Sequence, residues 1–407
     1  MIWKLQKVLY RCIHRILRHV VKRFTIPVPD LISGPGSIQR LPVLIQKQGI
    51  QKPLLVTDAG ITHLGLADSL LSGLQDAKIE YAVYDSVHPN PTISNVEAGV
   101  RAYRDNECDS IIAFGGGSPI DCAKIIGASI KNPKTPVAKM RGFKKFSNPP
   151  PPLFAVVTTA GTGSECSQGA VISDPDKQEK FPIASPLVIP SVAVVDAQLM
   201  LGLPPHITAA TGMDALTHAV EAYIGLWKTD FSDRMAEKAV KIIFQDLEAV
   251  FRDGNDLQRR HNMAMASHYA GLSFTRAMLG YVHAIAHQLG GIYGVPHGLA
   301  NAIILPHVLE FSREDCEEKL ARLAIVAGLG NDNESARVLS ERFIERIRQM
   351  SRNMDIPIHV AQLQEKDIPE IVRRALKEGN PDSPVPRLMN AAQCENLVRQ
   401  FLPVGTA

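Results

Sequence analysis

The chain has 407 residues, 45% of them hydrophobic and 21% charged, with 29 glycines and 28 prolines. That length suggests two or three domains, each large enough for its own core, and the composition excludes a disordered tail, a collagen-like repeat and a coiled-coil rod. Forty-four Lys and Arg against 41 Asp and Glu leave a net charge of +3, too balanced for a whole-surface nucleic-acid footprint.

Residues 1–24 hold no acid but carry Lys4, Lys7, Arg11, Arg15, Arg18, Lys22 and Arg23. Ile2, Leu5, Leu9, Ile13, Ile16, Leu17, Val20 and Phe24 recur there at helical spacing, so residues 1–25 read as a basic amphipathic helix stopped near Pro27 and Pro29. Three roles compete for it: packing on the body or on a partner subunit, peripheral contact with an anionic membrane, or an organelle presequence. The lack of Ser or Thr before Thr25 weighs against the last. The apolar stretches of the chain break off well before the ~18 residues that a bilayer crossing takes.

From 26 to 203 short apolar runs alternate with helical stretches. The runs are 52–58 (KPLLVTD), 79–85 (IEYAVYD), 110–114 (SIIAF), 153–158 (LFAVVT) and 191–196 (SVAVVD), with helices through Leu74 and over 96–103. Continuously apolar strands separated by helices predict a parallel sheet covered on both faces. Residues 149–152 form a Pro-rich connector. Beyond Pro204 the period becomes 3.6 over 209–223, 232–251, 261–274, 281–293, 316–329 and 336–350, which predicts a helical domain spanning 204–407. The six cysteines are scattered, with no CxxC pair, as expected of reduced thiols in the cytoplasm and not of a zinc ribbon or disulfide scaffold.

The run 110–114 enters Gly115, Gly116 and Gly117, followed by Ser118, Pro119 and Asp121. Three glycines let a backbone approach a pyrophosphate, Ser118 suits a helix cap, and the amide groups of a helix start face an anion. Alone this would be a tight turn. A second loop, Thr158, Thr159, Ala160, Gly161, Thr162, Gly163, Ser164 and Glu165, leaves another strand end, and two such loops at the carboxyl ends of parallel strands predict a dinucleotide crevice. Asp58 closes its strand either as a carboxylate for an adenosine ribose hydroxyl, which favours NAD over NADP, or as a helix cap.

In the helical half, Asp214 and His218 stand one turn apart on one face, as do His283 and His287, and His297 follows in a Gly/Pro turn. One such pair is ordinarily a surface contact. Several histidines beside a carboxylate in an apolar segment point to a metal, because burying charge without a partner is costly. Imidazole nitrogens with one carboxylate suit Fe²⁺ or Zn²⁺.

GGGSPID, TTAGTGSE, AATGMDALTHAVEAY, VHAIAHQLGG and VPHGLANAIILPH resemble, in order and spacing over residues 31–381, the iron-containing (group III) alcohol dehydrogenase family. HPNPT at 88–92 and GNP at 379–381 are lesser markers. The resemblance implies an N-terminal Rossmann-like α/β dinucleotide-binding domain plus an all-α C-terminal domain, the dehydroquinate synthase-like fold, with the active site in the cleft between them. It implies Asp214, His218, His283 and His297 as metal ligands, His287 as a proton-relay or substrate-contact residue, and Phe274 as an aromatic near the substrate. It places Gly116, Gly117, Ser118 and Asp121 about the pyrophosphate and Thr158, Thr159 and Ser164 elsewhere around the nucleotide. Asp58, Gly115 and Gly163 complete the expected cofactor set.

The implied reaction is interconversion of a primary alcohol and its aldehyde with NAD, or secondarily NADP, by a homo-oligomer holding Fe²⁺ or Zn²⁺. A hydroxy-acid or polyol dehydrogenase of the same family is the alternative. A membrane-surface or assembly protein reusing the fold is disfavoured by the intact donor set. The basic segment before Thr25 exceeds the family's usual start and is not explained by it.

Overall fold

The computed structural model describes residues 2–21, 26–177, 179–381 and 383–403. Lys22, Arg23 and Phe24, assigned to the amphipathic pattern, lie outside the described residues, as do the side chains of Ile2 and Val20. The chain divides into two compact units. One comprises Pro27–Leu203 and Gly254–Gly271; the other comprises Met1–Ile26, Pro204–Asp253 and Leu272–Ala407.

Among its described residues the first unit contains nine strands: β1 (Asp30–Ser33), β2 (Pro53–Val56), β3 (Ala82–Tyr84), β4 (Ser110–Gly115), β5 (Gly142–Phe143), β6 (Leu153–Val157), β7 (Gly169–Asp174), β8 (Glu179–Ala184) and β9 (Val192–Val195). Six form one all-parallel sheet in the order β1-β9-β6-β4-β2-β3. Every residue of β2, β4, β6 and β9 is buried, which is why these runs are apolar without alternation. Among β2, β3, β4, β6 and β9 the order is that of a doubly wound sheet, and it reverses between β2 and β4, the place where such sheets bind ligands beyond their carboxyl ends.

The helices of this unit are α2 (Arg40–Lys47), α3 (Ala59–His63), α4 (Asp68–Asp76), α5 (Ile93–Asp105) and α6 (Gly117–Lys131). The run expected at 79–85 forms a strand only over β3. A second sheet, β5-β8-β7, with β7 antiparallel to β8, escaped the sequence reading because β7 buries only alternate residues and β8 opens on Glu179 and Lys180 and carries Pro182.

The helical unit contains α1 (Ile2–Val21), α7 (Pro205–Ile224), α8 (Asp230–Arg252), α10 (Tyr281–Tyr293), α11 (His297–Val326), α12 (Ala336–Asn353), α13 (Ile368–Gly379) and α14 (Ala391–Arg399). Helix α9 (Leu257–Ala277) contributes its residues up to Gly271 to the α/β unit and the rest to this one. Helix α7 packs on α8 and α11, and α10 on α11 and α13. The helix expected from residue 316 is the second half of α11: Cys316 has non-helical angles (φ −142°, ψ 26°), so the periodicity restarts there. Among the described residues, no helix is long and apolar enough to cross a membrane, and all six cysteines are free thiols.

Candidate active site

In the helical unit, Asp214 and His218 lie on the buried face of α7, His283 on the first turn of α10, and His297 opens α11. Asp214, His218 and His283 are buried, whereas a third of the His297 side chain is exposed. Asp214 Oδ1 stands 3.9 Å from His218 Nε2, 3.9 Å from His283 Nε2 and 3.7 Å from His297 Nε2. Two donors on one ion at ~2.1 Å stand at most about 4.2 Å apart, so these separations suit a shared cation. All four donor atoms lie within 4.8 Å of one another.

Lone pairs converge on one spot here. Asn301 Nδ2 donates to Asp214 Oδ1 (2.7 Å) and lies 3.1 and 3.2 Å from His283 Nε2 and His297 Nε2, while its own buried Oδ1 has no partner. Burial raises the Asp214 carboxyl above its usual range, against the pull of His218 and Asn301. Burial, aided by His218 and His287, drives His283 well below the ordinary imidazole value, which keeps it neutral as a ligand must be. Three imidazoles and a carboxylate fit Fe²⁺ or Zn²⁺.

The side chains behind the donors went unnoticed in the sequence. Glu221 Oε2 accepts from His283 Nδ1 (2.7 Å), which fixes the tautomer that presents Nε2 to an ion. Glu221 also accepts the amide hydrogens of Val282 (2.8 Å) and Gly280 (3.1 Å). Burial raises this carboxyl to about 7, and the two backbone donors oppose that rise. Its signal was present: Asp214, His218 and Glu221 follow an i, i+4, i+7 pattern on one helix face. Asn301 likewise stands four residues after His297. We expect Glu221→Gln to weaken metal affinity about 10–100-fold in a chelator competition titration, because an amide cannot accept all three hydrogens as the carboxylate does.

His287 Nδ1 donates to Glu378 Oε1 (2.6 Å), and Gln288 holds the other oxygen of that carboxylate at 3.1 Å. The His287 ring stacks on His297 at 5.3 Å, beside the donors but not among them. Phe274 stacks on His218, with centroids 4.5 Å apart. Glu378 is 91 positions from His287, so no local pattern announced it. The GNP marker is structural. Tyr281 Oη donates to Asn380 Oδ1 (2.7 Å) and accepts from the Met389 amide, and a Cβ on Gly379 would stand 2.6 Å from the Tyr281 ring.

In the α/β unit, Asp58 follows β2 and the glycine run follows β4, its neighbour across the order reversal; Thr158 and Thr159 follow β6 on the other side of β4. Gly115 has φ +148°, a region that L side chains avoid. A Cβ on Gly117 would come 2.8 Å from the Thr162 methyl, so the two loops touch. Ser118 is not the cap: α6 starts from Gly116 with no side-chain cap, leaving its first amide groups for an anion, and Ser118 Oγ instead accepts from the Asn90 amide (3.2 Å). Asp58 does cap α3, Oδ1 accepting from Ile61 at 3.1 Å, a bond that leaves Oδ2 for a ribose hydroxyl.

Asp121 faces inward. Its carboxylate accepts from Val171 (2.8 Å) and from Ser164 Oγ, so it holds the second loop in place. Buried Lys124, one turn on, donates to Ser164 Oγ (3.1 Å), Ser167 O (2.9 Å) and Gly169 O (2.7 Å). Gly163 sits in the left-handed region (φ +59°) with Gly271 so close that a Cβ would stand 2.6 Å from its Cα. Buried Glu165 accepts from His268 Nδ1 at 2.9 Å, fastening the loop to α9. Lys180 was also missed. It donates to Asn90 Oδ1 (2.7 Å) of the HPNPT segment, and burial lowers its ammonium to about 8.

Comparison with known proteins matches both units. The family model "Iron-containing alcohol dehydrogenase" covers residues 29–197, and that for the C-terminal part of the Fe-containing alcohol dehydrogenase family covers 208–402. The chain is 41% identical to 1,3-propanediol dehydrogenase of Klebsiella pneumoniae over 93% of its own length and 99% of that protein. It is 34% identical to the NAD-dependent methanol dehydrogenase of Bacillus methanolicus over 87% of this chain and 93% of that one. The crystal structure of a 1,3-propanediol oxidoreductase superimposes with a TM-score of 0.89 at 41% identity, covering 93% of this chain and all of the other. Likeness of this extent, in sequence and in backbone, decides the matter: the chain belongs to the iron-containing alcohol dehydrogenase family.

Proposed function

We propose that the protein is a NAD-dependent, iron-type dehydrogenase that interconverts a primary alcohol and its aldehyde. The observation that carries this reading is the convergence of Asp214, His218, His283 and His297 on one spot, in a chain whose glycine run follows β4 at a sheet's switch point. When bound, the cation supplies Lewis acidity toward the substrate oxygen and the nicotinamide supplies the hydride chemistry. His287 carries the substrate proton toward solvent, and Glu378 and Gln288 hold its ring in place. Phe274, stacked on His218, lies beside the substrate carbon chain and excludes water there. In the nucleotide unit, the uncapped start of α6 receives the pyrophosphate and Asp58 Oδ2 the adenosine ribose.

Diols join simple alcohols as substrates, which the 41% identity to a 1,3-propanediol dehydrogenase supports. A hydroxy acid fits less well. Glu221, Phe274, His287 and Asn301, which bond to or stack on the donors within the helical unit, include no Lys or Arg to face a carboxylate. The family resemblance supports a homo-oligomer working in the cytoplasm.

NADH formation over a series of primary alcohols and diols, run beside elemental analysis, tests the reading. We expect turnover proportional to bound iron or zinc, and Asp58→Gly to shift the preference toward NADPH by about tenfold, since a carboxylate repels a 2′-phosphate. A native enzyme that already prefers NADPH would overturn the ribose assignment.

A further inference from the structure

Helix α1 is fastened to the helical unit along one flank. Arg11 donates to the carbonyls of Val385 (2.7 Å) and Pro386, and Trp227 Nε1 donates to the carbonyl of buried His14 (3.0 Å), whose ring lies edge-on to the indole. These bonds hold the helix with another flank outward. On that flank Leu5, Val8, Leu9 and Ile16 are 57–67% exposed, and with exposed Cys12 they form one stripe at helical spacing. Both family models lie C-terminal to this helix, the first beginning at residue 29, so the family fold does not account for an apolar stripe held in water.

Charge indicates what covers it. Lys4, Lys7, Arg15 and Arg18 are exposed along one border of the stripe, and the helix contains no acid. Under that border runs a groove of about 600 Å³ whose charged lining is Lys7, Arg11, Arg15, Arg387 and Asp315; Arg387 pairs with Glu314 (3.3 Å) and Asp315 (3.5 Å), which leaves the other three cations in excess. Val8 and Cys12 also line it, so the groove opens onto the stripe. Two copies of this helix laid stripe to stripe would bring cations together with no acid on either helix. An anionic bilayer meets both demands, with phosphates for the cationic border and groove and acyl chains for the stripe.

We propose that α1 docks the protein in the plane of an anionic phospholipid bilayer, with Leu5, Leu9 and Ile16 inserted and Lys7 and Arg15 on the headgroups. This surface is independent of the dehydrogenase reading, and turnover in solution serves as the folding control.

The test is sedimentation of the full chain with vesicles of phosphatidylcholine alone or with one third phosphatidylglycerol. We expect binding to the anionic vesicles only, weakened by added salt. Leu5→Ser/Leu9→Ser/Ile16→Ser and Lys7→Glu/Arg15→Glu should each weaken it about tenfold or more, one surface charge being worth about fivefold, with soluble turnover unchanged. Equal binding to neutral vesicles, no binding to either, or undiminished binding by both variants overturns the proposal. So does an oligomer that the triple variant breaks up in the absence of lipid, because that assigns the stripe to a second copy.

Discussion

His283→Ala is expected to yield a folded protein that retains no metal and turns over at least ~10³-fold more slowly, since a Lewis acid contributes several kcal/mol to the transition state and each 1.36 kcal/mol is a factor of ten. The effect should exceed that of the other ligands because the side chain serves two neighbours. Its Nε2 faces Asp214 Oδ1 at 3.9 Å, and its Nδ1 occupies Glu221 at 2.7 Å. Truncation therefore also strips a buried carboxylate of a partner, a cost of about 1–3 kcal/mol in stability. Elemental analysis of the purified variant, its circular dichroism and its kcat separate the three consequences. An enzyme that keeps full activity with no bound metal would sink the metal assignment.

Lys124→Met should strongly destabilise the α/β unit. The Lys124 ammonium is fully buried and ringed by the oxygens of Ser164, Ser167 and Gly169, and Ser164 bonds Asp121 in turn. Burial pushes the Asp121 carboxyl up and the Lys124 ammonium down, while each opposes the shift of the other. Four oxygens surround the one lysine nitrogen: Ser164 Oγ, Ser167 O, Ser167 Oγ and Gly169 O. Lys124 reaches Asp121 only through Ser164, so removing the cation leaves the carbonyls of Ser167 and Gly169 without their donor and weakens the field on Asp121, at a cost of about 3 kcal/mol. A drop of roughly 10 °C in the thermal midpoint should accompany it, with part of the loss restored in Asp121→Asn/Lys124→Met. A midpoint unchanged by Lys124→Met would mean that the pair is not what holds the second nucleotide loop.

Helical spacing singled out Asp214, His218, His283 and His287 as candidates, and the family resemblance implied His283 and His297, not His287, as the donors to join Asp214 and His218. Asp214 with His218 fixes one face of α7, and His297 follows a Gly/Pro turn that ends α10 and begins α11. The residues that support them were legible only in part. Glu221 and Asn301 continue those spacings, whereas Glu378 reaches His287 from a different helix. The glycine run reads as a phosphate loop, but Ser118 does not cap α6, since the hydroxyl is drawn instead to Asn90, a contact 28 positions distant.

At the N-terminus the period was readable and the packed face was not. Trp3, Tyr10, Ile13 and Leu17 are partly covered while Leu5, Leu9 and Ile16 stay exposed, because the tertiary bonds of Arg11 and His14 turn the buried face away from the apolar one. The small mixed sheet was invisible because two of its strands mix polar and apolar residues without a long run.

Glu221 gathers the ring of His283 and the backbone of Gly280 and Val282 onto a single carboxylate. The clasp that orients a ligand is thus the same clasp that starts α10, directly after Met278 in the left-handed region. An ion held by His283 would couple its release to fraying of that helix end, so its removal is expected to raise proteolytic cleavage at the α9–α10 junction.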